Sequence, residues 1–181
     1  MSPAAGESTL VAQLRETLVA LREAGLRHML IGGVAVNLHG YLRATRDLDL
    51  MLLVEDADVA HDMFERLGYE TLDRTLDIAS YVRGAQRLNV LYAQRPISRG
   101  LLERPEEAEL GGIKVPVISL EGLLGLKIEA FSNDPRRIRD YQDMIELIKA
   151  RHDVMDKDVV RSYFRLFDKE RVLDDILAAI G

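Results

Sequence analysis

The stretch Leu30–Leu53, LIGGVAVNLHGYLRATRDLDLMLL, constrains this chain more than any other. A short apolar run ends in Gly32-Gly33, and a second opens with Asp47-x-Asp49. The second run has period two. Leu48, Leu50 and Leu52 share one face of a strand, while Asp47, Asp49 and Met51 share the other. The two carboxylates then lie on one face with Cα atoms about 6–7 Å apart. Like charges that close raise each other's pKa and cost stability unless a cation lies between them. A hard divalent ion such as Mg²⁺ suits them, because it takes oxygen ligands and shares them with phosphates. Taken alone, Asp-x-Asp is equally a solvated strand face.

The flanking pattern predicts the elements that carry this stretch. Residues 1–8 read as a loose tail. Leu10, Leu14, Leu18 and Leu21 recur at helical spacing and predict a helix over Thr9–Ala24. A short strand follows over His28–Ile31, then a turn at Gly32-Gly33 and a short helix over Val34–His39. After the Asp47–Val54 strand, Val59, Ala60, Met63, Phe64 and Leu67 define an amphipathic helix. Strands are expected at Tyr69–Leu72, Ile78–Val82 and Leu88–Tyr92. Gly84-Ala85 supplies the turn between the last two. Residues 97–109 are charged and read as partly helical, broken at Pro105. Ile113–Val117 reads as a strand, and its Pro116 points to a sheet edge. From Ser119, a helix-capping residue, only helices follow: one to Phe131, one from Pro135 to Ala150, and two more to Ile180. The expected fold is mixed α/β (α+β). Residues 1–118 form a small mixed sheet with flanking helices, and residues 119–181 form a helical C-terminal part packed on it as one compact unit.

Composition narrows the function. With no cysteine, thiolate metal sites and disulfides are excluded. The first ten residues lack the charge and apolar core of a secretory signal, and no apolar run reaches membrane-spanning length. A cytoplasmic protein is expected. The formal net charge of −6 argues against a general nucleic-acid coat. The four histidines show no His-Glu-x-x-His pattern, and neither a Walker A loop nor a Gly-x-Ser-x-Gly elbow is present.

Other residues give the aspartates a context. Gly32-Gly33 after a strand is either a tight turn or a place where backbone N–H groups approach a phosphate. Arg43 and Thr45, just before the aspartates, are either loop chemistry or triphosphate contacts. Lys127 stands among Leu123, Leu124, Leu126, Ile128 and Phe131, so it snorkels or points at an anion. On the helix that follows, Ile138, Tyr141, Met144, Ile145 and Ile148 define an apolar stripe widened by Leu147. Asp140 falls at the edge of that stripe and Asp143 further out, so Asp140 is expected in the site and Asp143 at the surface.

Ile31-Gly32-Gly33, Gly40, Arg43-x-Thr45 and Asp47-Leu48-Asp49-Leu50 together resemble the polymerase-β-type nucleotidyltransferase superfamily. Within it they are most similar to bacterial AbiE-type abortive-infection toxins and their uncharacterised relatives. Lys127-Ile128-Glu129-Ala130 and Asp140-Tyr141-Gln142-Asp143 are similar to that family's Lys-x-x-Ala and Asp-x-x-Asp helices, so the resemblance covers roughly residues 28–150.

The resemblance implies a Mg²⁺-dependent transfer of NMP from an NTP to an acceptor hydroxyl. It implies two Mg²⁺ on Asp47 and Asp49, phosphate contacts from Gly32, Gly33, Arg43 and Thr45, charge neutralisation by Lys127 and assistance from Asp140. A tRNA end, a protein or a small molecule is the implied acceptor. A toxin–antitoxin setting with an antitoxin-type partner follows from the AbiE likeness. The chain departs from the pattern at Asn89, on the strand Leu88–Tyr92, where the superfamily's third metal-binding carboxylate is expected. An amide oxygen is a neutral ligand and takes no proton from the attacking hydroxyl. That departure opens a second expectation, a degenerate nucleotide- or partner-binding regulator, and makes Asp77 and Asp140 the alternative bases.

Overall fold

Leu48, Leu50, Met51 and Leu52 are fully buried, and this run explains the centre of the fold. Strand β2 (Asp47–Leu53) alternates at its start and is buried on both faces further along. The computed structural model describes residues 9–180, so the predicted tail at residues 1–8 lies outside the described residues. The chain divides into two compact units. Among the described residues the first comprises 9–35 and 44–118, and the second 36–43 and 119–180.

The first unit is a mixed sheet. Besides β2 it contains β1 (His28–Leu30), β3 (Glu70–Arg74), β4 (Ile78–Arg83), β5 (Gln86–Ala93), β6 (Glu106–Leu110) and β7 (Ile113–Val117). Their order is β3-β4-β5-β2-β1-β7-β6. The β2–β5 and β1–β7 pairs are parallel and the others antiparallel. This is the mixed sheet with helices that the sequence pattern predicts. Helix α1 (Thr9–Glu23) buries the predicted Leu14, Leu18 and Leu21. Helix α3 (Ala57–Arg66) drives Phe64 between Tyr81, with ring centres 5.1 Å apart, and Tyr69, at 6.2 Å.

Three details differ from the sequence expectation. Residues 97–109 are a helix, α4 (Pro96–Glu103), followed by the strand β6. The acid-rich Glu106–Leu110 has no strand propensity of its own. It is a strand because it pairs with β7 across Gly111-Gly112, whose φ values of 58° and 74° suit a hairpin turn that favours glycine. The edge position predicted for Ile113–Val117 is therefore wrong: β7 lies between β1 and β6, and the charged β6 is the edge. Helix α2 (Gly32–Leu38) also begins at the glycines themselves rather than after them, and the division between units runs through it.

The second unit is helical: α5 (Leu120–Asn133), α6 (Ile138–Arg151), α7 (Lys157–Arg165) and α8 (Glu170–Ala178). Ser119 caps α5 as predicted, accepting from the Gly122 N–H at 3.2 Å. Pro135 does not open α6. It lies in a turn where the Asp134 carboxylate accepts from Arg136, and the helix starts at Ile138. The Phe131 and Tyr141 rings stack across α5 and α6 with centres 5.1 Å apart.

His28, at the start of β1, is buried, and its ring Nδ1 lies 2.8 Å from the Leu26 carbonyl oxygen. Burial lowers its pKa, with a smaller push from Arg22, against an upward pull from the Leu26 carbonyl. A base whose pKa falls on folding binds fewer protons when folded, so acid destabilises it. The stability is intact above the unfolded histidine value of about 6.5 and is lost as the pH falls below it. Denaturant unfolding between pH 7.5 and 5 should show stability falling with acidification, with a shallower slope in His28→Asn.

Candidate active site

Two clusters hold the predicted site residues, one in each unit. In the first, Asp49 is the centre. Gly32 has φ +62°, and a Cβ built on it would lie 2.0 Å from Asp49 Oδ2 and 2.6 Å from Cγ. The carboxylate therefore packs into the space that a side chain at residue 32 would fill. The Gly33 N–H donates to Asp49 Oδ2 at 3.3 Å. From the other side Asn89 Nδ2 donates to Asp49 Oδ1 at 2.8 Å. The sheet dictates this last contact, because Asp49 and Asn89 are register partners in the parallel β2–β5 pair. Ser80, the β4 partner of Asn89, donates its hydroxyl to Asn89 Oδ1 at 3.0 Å. Asp47, two residues before Asp49, is exposed.

In the second cluster a buried lysine meets two carboxylates. Lys127 is only 5% exposed, and its Nζ lies 2.9 Å from Asp140 Oδ1 and 2.6 Å from Asp143 Oδ2. Asp143, 1% exposed, also receives the Arg43 guanidinium in a two-point contact at 2.7 and 2.9 Å. Such planar pairing is the strong form of an ion pair. The Asn37 side chain pins the Arg43 backbone, accepting from its N–H at 2.9 Å and donating to its carbonyl at 3.0 Å. Arg137 completes the group on Asp140 Oδ2 at 2.6 Å. Burial pushes the Asp140 carboxyl up, but Lys127 and Arg137 outweigh it and hold the group below its usual range. Asp140 is therefore ionised and a weak proton acceptor, since an efficient base has a pKa near the working pH.

The comparisons with known proteins agree with this architecture. A family model described as "Nucleotidyl transferase of unknown function (DUF2204)" matches residues 10–77. The solution structure of the antibiotic-resistance factor ANT(2'')-Ia superposes with a TM-score of 0.72 at 18% identity, covering 96% of this chain and 98% of that one. The lincosamide antibiotic adenylyltransferase LnuA, lincomycin-bound, gives a TM-score of 0.56 at 17% identity, covering 75% and 94%. A putative nucleotidyltransferase from Thermotoga maritima gives 0.56 at 15%, covering 74% and 92%. No curated protein matches the chain. The fold is that of the nucleotidyltransferases. These matches support the superfamily resemblance and do not extend to abortive-infection toxins or an antitoxin partner. Among the described residues no helix is long and apolar enough to cross a membrane.

In this nucleotidyltransferase fold the donor set can be tested against the implied metal. The exposed Asp47 and the partly buried Asp49 share one face of β2, and they are the residues that would hold a divalent ion, whose shell phosphate and water oxygens would complete. Asn89 does not extend that set, because its NH₂ faces Asp49 and its oxygen is taken by Ser80. Among the described residues no group of three acidic or imidazole side chains is placed to hold a metal.

Other sequence expectations change. Asp143 is buried, not exposed, and Asp140 also faces inward. The stripe was misplaced because Ile138 is 62% exposed, in the first turn of α6. The residues actually buried, Asp143, Met144, Leu147 and Ile148, centre the inner face roughly 90° away at 100° per residue. Asp77 is no substitute for Asn89: it lies beside Tyr92, where its carbonyl accepts the Tyr92 N–H, about 10 Å along β5 from Asn89. Thr45 is partly buried in the segment before β2. Sequence reasoning missed Ser80, Asn37 and Arg137. Nothing local marks Ser80, whereas Arg137 stands at i−3 from Asp140, an ion-pair spacing.

Two stability predictions follow from the clusters. Gly32→Ala combines the left-handed backbone cost of about 1–2 kcal/mol with displacement of Asp49, so denaturant unfolding should show a loss above that backbone cost. Asp143→Ala takes from the buried Lys127 one of its two carboxylates and from Arg43 its two-point partner, and should cost up to about 3–5 kcal/mol by the same measurement. Asp140→Ala, in a more solvated position, should cost less.

Proposed function

We propose that the protein transfers a nucleoside monophosphate from an NTP to a hydroxyl of a small-molecule acceptor, releasing pyrophosphate. The observation that carries this reading is Asp47-x-Asp49 at the start of a central strand, with Asp49 seated on Gly32. The likeness to ANT(2'')-Ia supports a small acceptor. One of its structures is described as a complex with adenylyl-2''-tobramycin. The net charge of −6 disfavours a large RNA acceptor, and a tRNA end or a protein is the lesser expectation.

In this reading Asp47 and Asp49 would hold Mg²⁺, which would neutralise charge on the triphosphate. The acceptor oxygen attacks the α-phosphorus, an O–P bond forms, and the bond from that phosphorus to the α–β bridging oxygen breaks. In this reading Gly33 and Thr45 are the further phosphate contacts of the first unit. Asn89 takes no proton, so the hydroxyl proton passes to water, and transfer is slow compared with a site that holds a base.

Asn89 also favours a second reading, nucleotide binding without transfer, as in a regulator. Labelled NTPs incubated with Mg²⁺ and a panel of aminoglycosides, lincosamides and a small-molecule lysate fraction separate the two. The transferase reading predicts label transfer by wild type, its loss in Asp47→Ala, and a gain in Asn89→Asp of up to the roughly 10²–10⁴-fold that a general base contributes. Absence of transfer by every form, with Mg²⁺-dependent nucleotide binding retained, would establish the binding module.

A further inference from the structure

We propose that the Asp47–Asp49 site takes one divalent ion with its nucleotide rather than two, the Asn89 amide standing where a second ion would lie. The inference rests on the nucleotidyltransferase reading. It starts from the orientation of one amide. A second ion shared between Asp49 and residue 89 needs an oxygen from each. Residue 89 offers Asp49 a hydrogen instead, from Nδ2 to Oδ1 at 2.8 Å. The positive end of the amide dipole thus already neutralises that side of the carboxylate.

The amide is held this way from both sides. Ser80 donates its hydroxyl to Asn89 Oδ1 at 3.0 Å, and Ser80 and Asp49 are its register partners on β4 and β2. Turning the amide over would break the bond to Asp49 and set two oxygen acceptors against each other. Only a cation between them would relieve that contact, and it would gain one neutral oxygen where a carboxylate would bring charge. Mg²⁺ sheds water reluctantly, so a neutral ligand is a weak inducement. The other side of Asp49 is different. Its Oδ2 accepts the longer contact, 3.3 Å, from the Gly33 N–H, and Asp47 is exposed on the same strand face. One ion has two carboxylates there.

The test counts ions, not turnover. The full chain is titrated with Mn²⁺ in the presence of the α,β-methylene analogues of ATP, GTP, CTP and UTP, and bound Mn²⁺ is counted by electron paramagnetic resonance. The wild type is expected to bind one Mn²⁺ per chain with nucleotide. Asn89→Ala is expected to keep that one, because the amide is not a ligand. Asn89→Asp is expected to bind two, with a melting temperature that is low in chelator and rises more on Mn²⁺ addition than the wild type's. Two ions on the wild type, falling to one in Asn89→Ala, would overturn the proposal, as would a single ion on a folded Asn89→Asp. If no analogue binds any form in Mn²⁺, the nucleotidyltransferase reading itself fails.

Discussion

The Asp49 carboxylate lies against the bare Cα of Gly32, and the first unit's site is built around that contact. A carboxylate in a partly buried place must find donors, and this one has the Gly33 N–H and the Asn89 amide. The glycine pair and the Asp-x-Asp pair are therefore one feature rather than two. Glycine at residue 32 makes room, and the N–H of residue 33 meets what occupies it. Central placement of β2 between β1 and β5 fixes the strand so that the contact is not left to a loop.

The second unit solves a different problem. Lys127 is buried on α5 along with Leu123, Leu124 and Ile128, and its ammonium requires charge partners. Asp140 and Asp143 supply them, and Arg43 and Arg137 add positive charge on the far sides of those carboxylates. Asp143, held by Arg43 at two points, is the least replaceable member.

Much of this was legible before any coordinates. Period-two leucines placed β2, helical leucines placed α1, and Ser119 placed the start of α5. The motif order led to a fold that structural comparison supports. What failed had physical causes. The sequence EEAEL is a strand only through its partner across a glycine turn, so local propensity misled. The exposed Ile138 shifted the apparent inner face of α6 and hid Asp143. Ser80 was invisible because its part in the site comes from cross-strand register, which a single sequence does not display. Asn89 was recognised as a departure, but its role as a donor to Asp49 required the geometry.

The central claim is that Asp47 and Asp49 hold a nucleotide through a divalent ion. Isothermal titration of the full chain with each of the four NTPs, with Mg²⁺ and with chelator, tests it most directly. The account predicts saturable binding of at least one NTP that needs Mg²⁺ and disappears in a folded Asp47→Asn, Asp49→Asn variant. Binding that is indifferent to Mg²⁺ and survives that double substitution would contradict it.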